Sequence, residues 1–321
     1  MKRHTTPIII AHRGASGYLP EHSLAAKALA HAMGADFLEQ DVVLTKDGFA
    51  IVLHDIYLET TTDVQLRFPK RCREDGRFYA LDFTLEEIRE LRLHERSKYT
   101  EAGLEVAVYP NRFPLGPGTC SIPTLREEID FIAGLDRSRS KRTGLYVELK
   151  APDWHLVQGY NIAEAVLDVL EQTGYSQRRD QVFLQCFHDK TLKYLRNTLR
   201  TQLPLIQLIA DNTWGEDGGV NYSHLMTPAG LDAVADYASG IGPWIKQIYG
   251  GKNTSGEPII SRLVADAHDR GLQVHPYTFR RDELPDGIQT FEELLDIFVN
   301  DVGIDGLFTD FPDAVYAFLR P

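Results

Sequence analysis

A chain of 321 residues with 43% hydrophobic composition can bury a sizeable core, and its net charge of −12 disfavours nucleic acid and anionic membranes as extended partners. That charge leaves room for a small anionic ligand in a locally positive cleft. No run of about 18 apolar residues is present to span a membrane, and Cys72, Cys120 and Cys186 form neither a CxxC pair nor a disulfide framework.

Met1-Lys2-Arg3 resembles the start of a signal peptide, but the apolar run at 7–11 is too short for a signal's hydrophobic segment. The protein is expected to be periplasmic if a leader was removed and cytoplasmic if Met1 is native. From residue 7, short β-rich apolar runs alternate with helical patterns. Strands are expected at 7–12, 37–43, 145–150, 182–187, 204–210, 239–243, 273–279 and 305–310. Helix-length spacers between strands imply parallel pairing through right-handed crossovers. Eight such units point to an α/β chain folded as a (β/α)8 TIM barrel, 1–321 as one domain; a doubly wound open sheet is the alternative. Ser23 is placed to cap a helix at 24–33 that Gly34 ends, and Gly271 is placed to end a helix at 258–270. Thr84 with Glu87, Thr124 with Glu127, and Thr290 with Glu293 have capping-box spacing. Residues 58–120 interrupt the alternation after the second barrel strand. They carry a basic stretch at 67–73, a short helix at 84–91 and a turn-rich run at 110–118, and are read as an insertion over the barrel mouth. Cys186, inside the apolar run VFLQCF, is expected to be a buried small residue.

The chemistry gathers at strand ends. Glu39 and Asp41 are two apart on one strand, so both point to one side, their Cα atoms about 7 Å apart. Unpaired carboxylates so placed repel each other and resist burial, and a divalent cation resolves both problems. Surface salt bridges are the plain alternative. Glu148, flanked by Val147 and Leu149 on the next barrel strand, is the candidate third ligand; Tyr146 and Lys150 share its side. Oxygen-only ligation suits Mg2+ or Ca2+. Lys150 is a candidate for a phosphate oxygen, or a salt-bridge partner of Glu148. His12 ends the first strand. His54 follows a hairpin centred near 47.5, which would return it opposite residue 41. Two histidines beside a carboxylate cluster suit acid–base cleavage of a phosphodiester. Arg13 offers a planar fork for phosphoryl oxygens, provided the chain leaves the strand at Gly14. Gln185 with Phe187, and Tyr277 with Phe279, are candidates for lining a substrate pocket or for core packing. Thr309-Asp310 ends the last strand and is placed to cap a helix at 312–319.

The ordered motifs IIIAHRGASGYLPEHS, FLEQDVVLTKDGFAIVLHD, YVELKAP, FLQCF, VHPYTFR and GLFTDFPD resemble the glycerophosphodiester phosphodiesterase family. The stretch RFP followed by DGRFYALDFTLEEI is similar to its bacterial periplasmic subgroup. The resemblance implies a (β/α)8 barrel that hydrolyses deacylated phospholipid headgroup diesters, such as glycerophosphocholine or glycerophosphoethanolamine, to glycerol 3-phosphate and an alcohol. It implies Ca2+ or Mg2+ at Glu39, Asp41 and Glu148, His12 and His54 as the acid–base pair, and Arg13 and Lys150 on phosphate. One departure is His22, where many members carry Asn. A zinc hydrolase of amidohydrolase type would want histidine-rich ligands, which the first strand lacks. A binder without catalysis would have little use for both histidines, and a phospholipid-cleaving relative would want an exposed apolar rim.

Overall fold

The computed structural model describes residues 6–116, 118–216 and 219–320. Met1, Lys2 and Arg3 lie outside the described residues. Eight parallel strands follow one another around a barrel: Ile8–Ala11, Phe37–Leu44, Gly144–Leu149, Val182–Cys186, Leu205–Ile209, Gly240–Pro243, Gln273–Val274 and Gly306–Thr309. The first pairs with the last from Ile8↔Gly306 to Ala11↔Thr309. The seam beside the short seventh strand is closed by backbone donation from Asp305 to Val274, Phe308 to Pro276 and Phe279 to Phe308.

The barrel interior is filled by Ile10, Phe37, Tyr146, Phe183, Ile206 and Phe308. This is the layered side-chain filling that makes such a barrel a packed core, not a pore. Tyr146 is fully buried, and its hydroxyl sits 2.8 Å from Nδ1 of His275. The opposite strand faces pack against the surrounding helices in the larger apolar cluster, which includes Leu38, Val147, Leu184 and Cys186. Among the described residues, no helix is long and apolar enough to cross a membrane.

Local signals place most helix ends. Ser23 accepts from the backbone N–H of Ala26 to start Leu24–Ala32, and Gly34, with φ +91°, lies beyond its end. Thr84 with Glu87 and Thr124 with Glu127 form reciprocal capping boxes. Thr290 accepts from Glu293, but Glu293 turns its own carboxylate to the Gln289 N–H, leaving that box half made. The helix expected at 258–270 is only Leu263–His268; Pro258–Ile260 is instead a strand paired with Tyr249–Lys252. Alternating Pro258, Ile259 and Ile260 suit a hairpin edge, and proline cannot donate inside a helix.

After the second barrel strand the chain turns back as Ala50–Val52, paired Val42↔Val52 and Leu44↔Ala50. The hairpin therefore centres on residue 47, so Leu53, not His54, faces Asp41, donating its N–H to the Asp41 carbonyl. Phe83, Ile88, Leu91 and Leu93 of the following segment then pack with Val43, Ile51 and Leu53 in a separate apolar cluster, and Ser97–Tyr99 pairs with Glu105–Ala107 in a small hairpin.

Candidate active site

Parallel register brings the acids together. Asp41 lies beside Glu148 and Glu148 beside Gln185 across three neighbouring strands, while Glu39 sits two residues before Asp41. Ligand atoms of Glu39, Asp41 and Glu148 all fall within 4.8 Å of one another, and the three residues are buried. Each carboxylate is held from behind. Glu39 accepts from the Arg13 N–H at 2.8 Å and from Gln185 Nε2 at 2.9 Å. Asp41 is met by Nε2 of His22 at 2.7 Å. Glu148 lies 2.7 Å from Nζ of Lys150. Oδ1 of Asp41 is buried without a hydrogen-bond donor. Three clustered acids, one with an orphaned oxygen, form an all-oxygen donor set that fits a hard divalent cation.

The electrostatics of the three acids agree with that donor set. Burial, and then the Asp41 carboxylate, push Glu39 up to about 8. Burial likewise drives Glu148 well above the usual carboxylate range, although Lys150 opposes it. Asp41 stays well below its usual value against the cost of burial, because His22 and Arg13 stabilise its charge. A cation would permit all three to ionise together.

The histidines flank this cluster, and each has its own carboxylate. Nδ1 of His12 is 2.6 Å from Oδ1 of Asp310; Nδ1 of His54 is 2.5 Å from Oδ1 of Asp55. A carboxylate only accepts, so in both rings the proton sits on Nδ1 and Nε2 presents a lone pair. Nε2 of His12 lies 3.9 Å from Glu39. Burial, then the Arg13 charge, lower His12 to about 4. Burial with Arg13 and Lys150 lowers His54 to about 3. Both rings are therefore neutral at rest.

Arg13 reaches this site because the chain leaves the first strand at Ala11, earlier than Gly14. Arg13 itself is left-handed, with φ +58°, and Gly14 follows at +88°. A Cβ on Gly14 would meet the Ala26 backbone at 2.8 Å, so both the angle and the space require glycine. Arg13 Nη1 donates to Glu21 at 3.0 and 3.1 Å.

A cavity of about 300 Å3 opens onto His12, His54, the three acids and Lys150, and is bounded on its other side by Phe187, Trp214, Trp244 and Tyr277. Gln185 also lines it, with its amide donated to Glu39. Phe187 and Tyr277 meet edge to face at 6.0 Å, and Tyr277 donates its hydroxyl to the Ile209 carbonyl. Phe279 lies in the core. A second cavity of about 210 Å3 touches both histidines from the side of Glu95, Arg96 and Arg112.

Several participants escaped the sequence reading. Asp310 does not cap the last helix: Pro312–Leu319 has no side-chain cap, and Thr309 Oγ1 accepts from Phe311 instead. Asp310 is committed to His12, Arg112 and Arg280. Glu21, His22, Asp55 and Arg96 also surround the site. Two of these carried a visible signal: Asp55, adjacent to His54, and His22, which stands where many family members carry Asn.

The model of the glycerophosphoryl diester phosphodiesterase family matches residues 12–314. A glycerophosphodiester phosphodiesterase of Haemophilus influenzae is 42% identical, over 98% of this chain and 90% of its own length. One from Treponema pallidum is 37% identical, over 97% and 91%. A solved Oleispira antarctica phosphodiesterase, in complex with the product sn-glycerol-3-phosphate, superposes with a TM-score of 0.63 at 21% identity, covering 98% of each chain.

Proposed function

This chain belongs to the glycerophosphoryl diester phosphodiesterase family and is an enzyme that hydrolyses glycerophosphodiesters, and from that premise we propose that His12 and His54 carry the reaction beside a divalent cation, Ca2+ or Mg2+, held by Glu39, Asp41 and Glu148. Glycerophosphocholine and glycerophosphoethanolamine are the proposed substrates, with glycerol 3-phosphate and the free alcohol as products. The sn-glycerol-3-phosphate bound in the Oleispira antarctica structure is the same product as the one proposed here.

The supporting observation is the pair of bare Nε2 atoms facing one cavity with the acidic cluster between them. The cation, when bound, withdraws charge from the phosphoryl oxygens. Arg13 and Lys150 line the same cavity and supply fixed positive charge to those oxygens. One imidazole accepts the proton of the attacking oxygen at Nε2 as the new P–O bond forms. The other, protonated when the anionic substrate arrives, gives its proton to the alkoxide as the old P–O bond breaks. Phe187 and Tyr277, with Trp214, exclude water from the organic part of the substrate. In this proposal the whole chain is one catalytic barrel, with 58–120 as an insertion over its mouth.

The deciding experiment is glycerol 3-phosphate release from glycerophosphocholine by the purified protein. His12→Ala and His54→Ala are each expected to lose about 100-fold or more in turnover; a loss under about tenfold would remove that residue from acid–base duty.

A further inference from the structure

Each histidine–carboxylate pair is gripped by an arginine from the same segment. Oδ1 of Asp55 faces His54, while Oδ2 accepts from Arg96 Nη1 at 2.7 Å. Oδ1 of Asp310 faces His12, while Oδ2 accepts from Arg112 Nη2 at 2.8 Å. Arg96 immediately precedes the small hairpin Ser97–Tyr99/Glu105–Ala107, and Arg112 follows it. One short hairpin thus spaces two arginines onto two carboxylates at opposite strand ends. We propose that Arg96 and Arg112 are positioning residues that fix the orientation of His54 and His12, so that residues 58–120 complete the acid–base machinery. This inference rests on the histidine reading given above.

The remaining contacts separate this arrangement from ordinary ion pairing. Arg96 uses its other nitrogens on Glu21, at 3.0 Å from Nε and 2.6 Å from Nη2, and Glu21 in turn holds Arg13. Its planar fork therefore fastens Asp55 and the Arg13 partner in one rigid unit, which a lysine ammonium does not span. Arg112 spreads between Asp310 and Asp282, the latter at 2.8 and 3.0 Å. Its side chain is only 4% exposed. Beyond its histidine and Arg112, Asp310 has a second charged donor, Arg280 Nε at 2.7 Å, whereas beyond His54 and Arg96 the further donor to Asp55 is the neutral Thr60 hydroxyl at 2.7 Å. Arg96 is accordingly the more consequential of the two. Other arginines of the segment offer a contrast: Arg73 pairs with Asp82, each about one-third exposed, and neither touches a histidine or its carboxylate.

The test measures kcat and KM for glycerophosphocholine at saturating cation, with folded protein quantified by circular dichroism, in Arg96→Met, Arg112→Met and the control Arg73→Met. Arg96→Met is expected to lose about 100-fold in kcat and Arg112→Met about tenfold, each with KM within about threefold of the parent. Arg96→Lys should not recover the loss, while added guanidinium should raise Arg96→Ala at least about tenfold. Nitrogen NMR of the two rings should show the Nδ1–H form of His54 giving way to a tautomer mixture in Arg96→Met. Turnover within about twofold of the parent, a loss no larger than that of Arg73→Met, or no response to guanidinium overturns the assignment. In the same assay, His12→Asn and His54→Asn must be disabled. If they stay active, the histidine reading has failed and takes this inference with it; if only the arginine variants stay active, this inference alone has failed.

Discussion

Nδ1 of His12, at the end of the first barrel strand, lies 2.6 Å from Oδ1 of Asp310, at the end of the last, although 298 residues separate them in the chain. The pair exists because those two strands are hydrogen-bonded neighbours, with Ala11 beside Thr309. The carboxylate fixes the proton on Nδ1 and so keeps Nε2 bare. Asp310→Asn can present an amide N–H instead, forcing the ring into the opposite tautomer. Turnover is expected to fall about 100-fold or more with KM little changed, as steady-state kinetics would show. Asp55→Asn should act in the same way on His54.

His22 is fully buried, holds Asp41 through Nε2 at 2.7 Å, and has φ +60°. Asparagine can meet both demands, since it tolerates the left-handed region and its amide can donate. His22→Asn is expected to keep cation affinity within about threefold. His22→Leu leaves Asp41 without its donor and strains the backbone; cation affinity should drop about 10- to 100-fold in calorimetric titration.

Cation binding should depend on pH in a defined direction. Burial and the Asp41 neighbour raise Glu39 to about 8, above its unfolded value of 4.5. Between those limits the cation-free fold holds a proton that the unfolded chain has lost. Its contribution to stability is complete below about 4.5 and is lost as pH rises through about 8. A cation must displace that proton, so apparent affinity should rise as pH climbs toward about 8, by up to about tenfold per pH unit for each proton displaced. Calorimetry in buffers of different ionisation enthalpy should detect the released proton, and the cation-induced gain in Tm should be larger at pH 8.5 than at pH 6. Dialysis against EDTA should abolish turnover, and Ca2+ or Mg2+ should restore it.

The histidines set the acid limit. His12 falls to about 4 and His54 to about 3, both chiefly through burial, against 6.5 when unfolded. A lowered histidine contributes stability that is whole above 6.5 and lost as pH drops through the folded value. His12 alone accounts for about 3 kcal/mol across that window, as an order of magnitude. Urea titrations of the parent and His12→Gln between pH 7 and 4 should show the variant losing less stability, by an amount of this order.

Lys150 stands 2.7 Å from Glu148, and that carboxylate raises it against the opposing effect of burial. It is charged throughout the working range. Lys150→Met removes a fixed positive charge from the cavity, and kcat/KM is expected to fall about 100-fold, which progress curves at low substrate would register.

Much of this was legible because it is local. Two acids on alternate positions of one strand must share a side, and an isolated Glu148 between Val147 and Leu149 has little reason to be there without a partner. Parallel register then does the rest, setting Asp41 beside Glu148. The hairpin estimate for His54 came within one residue because turn geometry limits the alternatives; the centre at 47 shifts the pairing by one place. What stayed hidden depends on contacts between distant segments. Nothing in the string at 305–313 reveals that Asp310 faces residue 12 rather than the helix after it. Arg96 and Arg112 are two among many arginines between 67 and 112, and only the tertiary path of that segment singles them out. The helix expected at 258–270 failed because its first residues pair with Tyr249–Lys252, a tertiary choice that local propensity does not encode.

Closure of the ring by its final strand bears on when the protein becomes active during its own synthesis. The acidic cluster is encoded within residues 39–148, so its ligands leave the ribosome early. The partner of His12 is made last, and until it docks the imidazole has no carboxylate to set its tautomer. Translation thereby imposes an order of events: a nascent chain carries its three clustered acids long before His12 can meet Asp310, and a chain truncated ahead of Asp310 is expected to lack that pairing altogether.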